Sequence, residues 1–114
     1  MAALRYLACS AAFAGVLFSG ISSPLAAQDD PEIRFENHQF KPQTLTVPAG
    51  RKLTIRVVNA SDETIEFESF KLNREEILSP GETTTVHLPA LSDGTYDFYD
   101  DFHQDVPEGS IVAK

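Results

Sequence analysis

The chain has 114 residues and carries 17 acidic against nine basic side chains, a formal net charge of −8. This length allows one domain. A small acidic domain is not expected to bind nucleic acid or an anionic membrane surface, so its charge favours cations as partners. The sequence contains a single cysteine and a single methionine, Cys9 and Met1.

The N-terminal segment has the pattern of a secretory signal peptide. Arg5 is its only charged residue, and the apolar stretch 7–18 is too short to span a membrane. We therefore expect export, in preference to a membrane anchor, with cleavage after Ala27. A leader of residues 1–27 would then be removed from a mature domain of residues 28–114, and the only cysteine and methionine would leave with the leader.

The rest of the chain alternates apolar and polar residues over short runs, the period of strands with one buried face. Turn sequences separate these runs, among them Pro48-Ala49-Gly50, Ser79-Pro80-Gly81 and Ser92-Asp93-Gly94. The predicted strands lie near 33–36, 44–47, 53–58, 65–68, 83–88, 96–100 and 110–113. Seven or so short strands with such punctuation favour an all-β, Greek-key β-sandwich. Asn73-Arg74-Glu75-Glu76 fits a single helical turn.

The stretch Tyr96–Gly109 concentrates the candidate chemistry. Asp100 falls on the same side of its predicted strand as Tyr96 and Phe98, and a carboxylate directed towards a core is costly without a partner. His103 follows in the loop before the last strand. The residues alone leave two interpretations open, a metal-binding hairpin and an acidic turn whose charges face solvent.

Other candidate ligands lie on neighbouring segments. Glu66 and Glu68 repel one another at i and i+2, which is useful next to a cation, although the pattern alone favours an ordinary polar sheet face. His38 lies near the end of the first strand, where a plain loop histidine is the simpler interpretation. His87 follows the polar alternation of its strand, so we expect it to face solvent without a role.

The sequence has no motif of an enzyme active site. It lacks a Gly-x-Ser-x-Gly nucleophile motif, a phosphate-binding glycine loop and a dinucleotide fingerprint. The aromatic residues occur singly at strand spacing, which is typical of a core rather than of a stacking platform. We therefore expect a binding protein and not an enzyme.

Several short motifs, in this order and spacing, resemble the framework of cupredoxin-like domains over about residues 33–114. They are Phe40-Lys41-Pro42, Val47-Pro48-Ala49-Gly50, Val57-Val58-Asn59, Pro80-Gly81, Asp93-Gly94-Thr95-Tyr96 and Gly109-Ser110-Ile111-Val112. Two further segments, Ile65–Ser69 and Tyr99–His103, carry a narrower resemblance. They are similar to small periplasmic proteins associated with high-affinity iron permeases and to the N-terminal cupredoxin domain of EfeO-type iron-uptake proteins.

The resemblance also shows where this chain departs from blue-copper members of the family. It places Asp100 at their cysteine ligand and His103 at the following histidine. Their first histidine falls near Ile65 or Glu66, and their axial methionine has no counterpart. Without sulfur in the mature domain, a His₂Cys copper centre cannot form. The resemblance implies instead a carboxylate and imidazole site, which suits Fe(III) or Cu(II). Its candidate metal ligands are Asp100, His103, Glu66, Asp101, Glu68 and His38.

The function implied by the resemblance is metal binding in a bacterial iron-uptake system. The protein would bind an iron or copper ion in the periplasm and pass iron to an inner-membrane permease, without inserting into the membrane, and an accessory role in Fe(II) oxidation is open. Two alternatives remain: a metal-free module whose acidic end docks a basic partner surface, and a periplasmic copper-binding protein. If the carboxylates converge on one ion, Asp100→Asn is expected to raise the melting temperature of the metal-free domain.

Overall fold

The computed structural model describes Gly20 and residues 30–114, so the predicted leader, apart from Gly20, and its cleavage point lie outside the described residues. The strands are β1 (Glu32–Glu36), β2 (Gln39–Lys41), β3 (Thr44–Val47), β4 (Leu53–Asn59), β5 (Ile65–Ser69), β6 (Arg74–Leu78), β7 (Thr83–Leu88), β8 (Gly94–Asp100) and β9 (Gly109–Ala113). Within the described part of the chain, no helix is long and apolar enough to cross a membrane.

The strands form two sheets that pack face to face. One sheet has the order β2-β1-β4-β7 and the other the order β3-β9-β8-β5-β6. β1 is parallel to β4 and β3 is parallel to β9, whereas the other paired strands are antiparallel. The arrangement confirms the predicted all-β sandwich, because each strand buries one face between the two sheets.

Phenylalanine rings occupy the centre of the core. Phe35, Phe40, Phe67 and Phe98 are at most 3% exposed, and the ring centroids of Phe40 and Phe98 lie 5.0 Å apart at 89°. Edge-to-face pairs of this kind add about 0.5–1.5 kcal/mol beyond the burial of their surface. The packing also explains the glycine that begins β9, because a Cβ at Gly109 would overlap the ring of Phe98.

Two short strands differ from the sequence-based expectation. β2 was not predicted, and the helical turn expected at 73–76 is wrong, because this segment opens β6. Asn73 adopts a left-handed conformation with φ 52° and closes the turn that precedes the strand. β6 then pairs antiparallel with β5 along its length, for example Glu66 with Ile77. Tertiary pairing here outweighs the weak helix propensity of the Arg-Glu-Glu run.

Three connections meet at one end of the sandwich. They are the β1–β2 turn at 37–38, the β4–β5 loop at 60–64 and the β8–β9 loop at 101–108. β1 and β4 are parallel neighbours, so both end at the same edge of their sheet, and β8 delivers Asp100 to that end from the facing sheet. The histidines of the first and third connections are thereby brought close together.

Candidate metal centre

His38 is presented by a tight turn. Glu36 pairs with Gln39, and the two residues between them have positive φ, 51° at Asn37 and 58° at His38. Such two-residue turns match the twist of a hairpin, and asparagine and histidine adopt positive φ more readily than most residues other than glycine. It places both ring nitrogens against acids from the other two loops. Nδ1 lies 3.4 Å from Glu63 Oε2, and Nε2 lies 2.7 Å from Asp105 Oδ2.

Glu63 is held in the β4–β5 loop by a buried asparagine. The side-chain amide of Asn59 donates to the backbone oxygens of Glu63 at 2.6 Å and of Leu78 at 3.1 Å, and its Oδ1 accepts from the hydroxyl of Ser61 at 2.6 Å. The loop thus keeps one shape. It places the carboxylate of Glu63 between two imidazoles, with Oε2 beside His38 and Oε1 3.7 Å from His103 Nε2.

Asp100 lies behind His103 and is fully buried. Its Oδ1 accepts backbone N–H groups from Glu66 and Phe102, both at 3.0 Å, and its Oδ2 lies 2.7 Å from His103 Nδ1. A carboxylate only accepts hydrogen bonds, so the proton of the imidazole is on Nδ1. Nε2 lies on the side of Glu63, 3.7 Å from Oε1, and a carboxylate behind Nδ1 is an arrangement common among metal-binding histidines.

The acids around His38 favour its protonated form. The hydrogen bond to Asp105, and after it the one to Glu63, raises the pKa of His38. The same hydrogen bond from His38 lowers the pKa of Asp105. Both side chains are largely exposed, so screening by solvent keeps the stabilising effect of this ion pair small. A metal ion that binds His38 must displace a proton from it.

We call His38, Glu63, His103 and Asp105, with Asp100 behind them, the imidazole site. It contains three of the six predicted ligands, namely His38, Asp100 and His103. The other three, Glu66, Glu68 and Asp101, lie together on the outer face of the five-stranded sheet, so the structure does not bring all six around one point. His87 is exposed on β7, as expected, with Nδ1 3.3 Å from Thr54 Oγ1.

Sequence reasoning missed Glu63 and Asp105. The resemblance placed the first ligand of blue-copper proteins near Ile65 or Glu66, but Ile65 is fully buried in the core and the acid that faces His103 is Glu63, with Oε1 3.7 Å from Nε2. One signal was available for Glu63. It lies two residues before the first residue of β5 and alternates with Ile65 and Phe67, so its side chain is on the inward side of the strand. No local pattern marks Asp105 among the acids of its loop.

The two-sheet fold indicates a class of protein, and sequence comparison agrees. The model of the cupredoxin-like domain family matches residues 8–113, so the chain belongs to that family. The match begins inside the predicted leader. An uncharacterized protein of Rickettsia prowazekii (strain Madrid E) is 38% identical over 83 residues, which cover 73% of this chain and 66% of that protein. The matched region therefore spans slightly less than two thirds of the relative.

Solved structures show the same fold at low sequence identity. Amicyanin from Paracoccus versutus is 18% identical with a TM-score of 0.61, over 77% of this chain and 84% of its own. Auracyanin A, a "blue" copper protein from Chloroflexus aurantiacus, is 20% identical with a TM-score of 0.62, over 75% and 98%. A purple cupredoxin from Nitrosopumilus maritimus is 19% identical with a TM-score of 0.59, over 75% and 100%. The narrower resemblance to iron-uptake proteins stays a prediction.

The donor groups decide which kind of metal centre fits this chain. A blue-copper centre needs a cysteine thiolate, and residues 30–114 contain neither cysteine nor methionine. The end of β8 carries Asp100 instead, and both of its oxygens already accept hydrogen bonds. A blue-copper centre therefore does not fit the described domain. Two imidazoles and two partly exposed carboxylates fit an ion that prefers nitrogen and oxygen ligands.

Proposed function

We propose that this protein binds a metal ion, Cu(II) or Fe(III), at the imidazole site and acts as a carrier rather than as an enzyme. The observation that supports this most strongly is the position of Glu63, whose two oxygens face the imidazoles of His38 and His103 at 3.4 and 3.7 Å. These separations are close to those between neighbouring donors that share one ion with bonds of about 2.0–2.2 Å.

Each residue has a distinct part in this proposal. His103 Nε2 and one nitrogen of His38 supply the imidazole ligands, and Glu63 supplies a carboxylate between them. Asp105 holds His38 in the metal-free protein and becomes available as a further oxygen ligand when the proton leaves. Asp100 positions His103 through the 2.7 Å contact with Nδ1 and does not itself bind the ion.

We further propose that the protein is exported, that the leader is cleaved after Ala27, and that the mature domain carries iron to an inner-membrane permease. The signal-peptide pattern of the sequence supports export. The acidic charge of the domain and the carboxylates of Glu63 and Asp105 suit a hard ion such as Fe(III). N-terminal sequencing of the exported protein tests the cleavage, and uptake of labelled iron by cells with and without the protein tests the transport role.

Metal titration of the purified protein tests the binding proposal directly. We expect saturable, one-to-one binding of Cu(II) or of Fe(III) supplied as a citrate complex, with Zn(II) as a comparison. His103→Ala should weaken the binding at least about tenfold, whereas His87→Ala is the matched control and should change it less than twofold. If no ion binds, or if both variants behave alike, the imidazole site is not a metal centre and the metal-free docking module becomes the better account.

A further inference from the structure

An open groove crosses the outer face of the five-stranded sheet. It lies over β8, between the β5–β6 turn at 70–73 and the β8–β9 loop at 101–108, and has a volume of about 520 Å³. Ligand sites in proteins commonly measure roughly 300–1,000 Å³, so the groove can hold side chains of another molecule. We call it the aromatic groove, and its lining includes Phe70, Lys71, Asp97, Tyr99, Gln104 and Glu108.

Two aromatic rings line one side of the groove. Phe70 is 78% exposed, the most exposed large hydrophobic side chain of the described residues, and its ring centroid lies 5.8 Å from that of Tyr99. Phe70 directly follows Ser69. The hydroxyl of Ser69 donates to the carbonyl of Asp97 at 2.7 Å and accepts the N–H of Leu72 at 3.3 Å. The turn that carries the Phe70 ring is thereby fixed to β8, and the ring is presented to solvent instead of to the core.

Acidic side chains surround the two rings. Asp97, Asp101 and Glu108 line the groove, and Glu68 pairs with Tyr99 across β5 and β8. Burial of the ring, and after it the charge of Glu68, raises the pKa of Tyr99. The tyrosine hydroxyl therefore lies in a negative potential, and a positive charge beside it would be stabilised.

The groove contains little positive charge to balance these acids. Of its described lining residues only Lys71 is basic, and its Nζ lies 3.6 Å from Asp97 Oδ2 and donates to the carbonyl of Thr95 at 3.1 Å. The acids that remain disfavour an anionic membrane. They also disfavour a second copy of this chain, because a symmetric contact would bring the same acids face to face. The charge of the groove suits a basic partner.

We infer that the aromatic groove docks a basic segment of a partner protein, with an arginine or lysine side chain against the ring of Phe70 and its charge facing Glu108. A cation within roughly 6 Å of an aromatic centroid is attracted to the face of the ring. Aromatic residues and arginine also dominate the binding energy of many protein interfaces. An open groove with a ring at its rim suits a side chain on a longer segment better than a small cation, which binds best when it is enclosed. The inference does not depend on a metal ion at the imidazole site.

A short labelled peptide in which arginine alternates with leucine is the probe, and the same peptide with glutamate in place of arginine is its matched control. Fluorescence anisotropy at low ionic strength should show saturable binding of the arginine peptide and none of the glutamate peptide. Binding should weaken as salt is added, because dissolved ions screen exposed charges. In the NMR spectrum of the protein, the amide signals of Phe70, Lys71 and Tyr99 should shift most.

Paired variants separate the groove from general stickiness and from general negative charge. Phe70→Ala should weaken peptide binding at least about tenfold, whereas Ile77→Ala, which removes an exposed apolar side chain of β6 outside the groove, should change it less than twofold. Glu108→Gln should also weaken it, whereas Asp93→Asn, in the turn before β8, should not. All four side chains are exposed, so the variants are expected to fold, and circular dichroism checks this. Cu(II) affinity should stay within twofold of wild type in Phe70→Ala, so that failure of the docking and failure of the metal site are distinguishable.

Several outcomes would overturn the inference. The arginine peptide would fail to bind, or would bind no better than the glutamate peptide, if the groove does not recognise a basic segment. Equal losses in Phe70→Ala and Ile77→Ala would mean that the peptide adheres to any exposed apolar side chain. Sedimentation that shows dimers of the wild type but monomers of Phe70→Ala would assign the groove to a second copy. Losses confined to Phe70→Ala and Glu108→Gln would support the basic partner.

Discussion

The acids Glu66, Glu68, Glu75 and Asp101 on the outer face of the five-stranded sheet, which we call the carboxylate face, lie close together. The imidazole site and the carboxylate face both adjoin β5 and β8, but their negative charges are balanced in opposite ways. At the imidazole site every carboxylate faces a nitrogen, as Asp100 faces His103 and Asp105 faces His38, both at 2.7 Å. On the carboxylate face Glu66 faces only other acids. The first region is organised by hydrogen bonds before any ion arrives. The second carries a charge imbalance that an ion or a proton must relieve.

The largest effect is expected when both histidines of the imidazole site are removed. The double variant His38→Ala/His103→Ala should lower Cu(II) affinity at least about 100-fold, about 2.7 kcal/mol, because it removes both nitrogen ligands. Calorimetric titration measures this. Glu68→Gln, on the carboxylate face, should leave Cu(II) affinity within twofold of wild type. Retention of wild-type affinity by the double variant would place the copper elsewhere.

Asp100→Asn tests whether Asp100 stabilises the fold. The amide group must turn an NH₂ towards a donor, so we expect the free energy of unfolding to fall by about 1–3 kcal/mol. Cu(II) affinity should fall about tenfold as His103 loses its orientation. Asp101→Asn, one residue later and exposed, is the control and should not destabilise. Denaturant melts and titrations measure both effects.

The sequence alone predicted the opposite effect on stability. There, Asp100→Asn was expected to relieve repulsion among converging acids and so to raise the melting temperature of the metal-free domain. The contacts of Asp100 with two backbone N–H groups and His103 give the opposite sign. A higher melting temperature for the metal-free Asp100→Asn variant would restore the original interpretation.

Glu66→Gln tests whether the acids of the carboxylate face lower stability when Glu66 loses its proton. The hydrogen bond with Glu75, followed by burial, raises the pKa of Glu66 from 4.5 to about 7. The folded protein therefore holds this proton more tightly than the unfolded chain, and stability falls as pH rises from 4.5 to about 7. Metal-free Glu66→Gln should melt above wild type at pH values above 7 and near it below 4.5. Identical pH profiles would show that Glu66 carries no such penalty.

The smallest expected effect concerns the exposed ion pair. Asp105 raises the pKa of His38. The ion pair therefore contributes fully to the free energy of unfolding below the ordinary pKa of histidine, and this contribution is lost as pH rises through the pKa of His38 in the folded protein. Asp105→Asn should lower the pKa of His38 and weaken this dependence. NMR titration of the histidine ring measures the pKa directly. An unchanged value would mean that the pair does not persist in solution.

Much of the fold could be predicted because strand alternation is a local property. Alternation placed Asp100 on the inward side with Phe98, and it placed Glu66 and Glu68 on the outward side. It also predicted the solvent-facing position of His87. β6 escaped prediction because Arg74-Glu75-Glu76 has no strand-like composition, and its pairing with β5 decides its structure.

The site was predicted only in part because its contacts join residues far apart in the chain. His38 meets Asp105 across 67 positions and Glu63 across 25, and no short motif encodes such contacts. The burial of Glu66 was also missed, because an outward-facing position on a sheet is normally solvated. The six predicted ligands separate into two groups because Asp100 and Asp101 point in opposite directions. Strand alternation implies this separation, but the predicted ligand set placed all six residues around one ion.

The most direct test of the central claim is electron paramagnetic resonance of the purified protein with one equivalent of Cu(II). Two imidazoles with carboxylates should give a nitrogen–oxygen spectrum with hyperfine coupling from two imidazole nitrogens, in a pale solution without a thiolate band. The coupling should fall to one imidazole in His38→Ala and in His103→Ala. A spectrum that keeps both imidazoles in either variant, or that shows oxygen ligands alone in the wild type, would contradict the proposed metal centre.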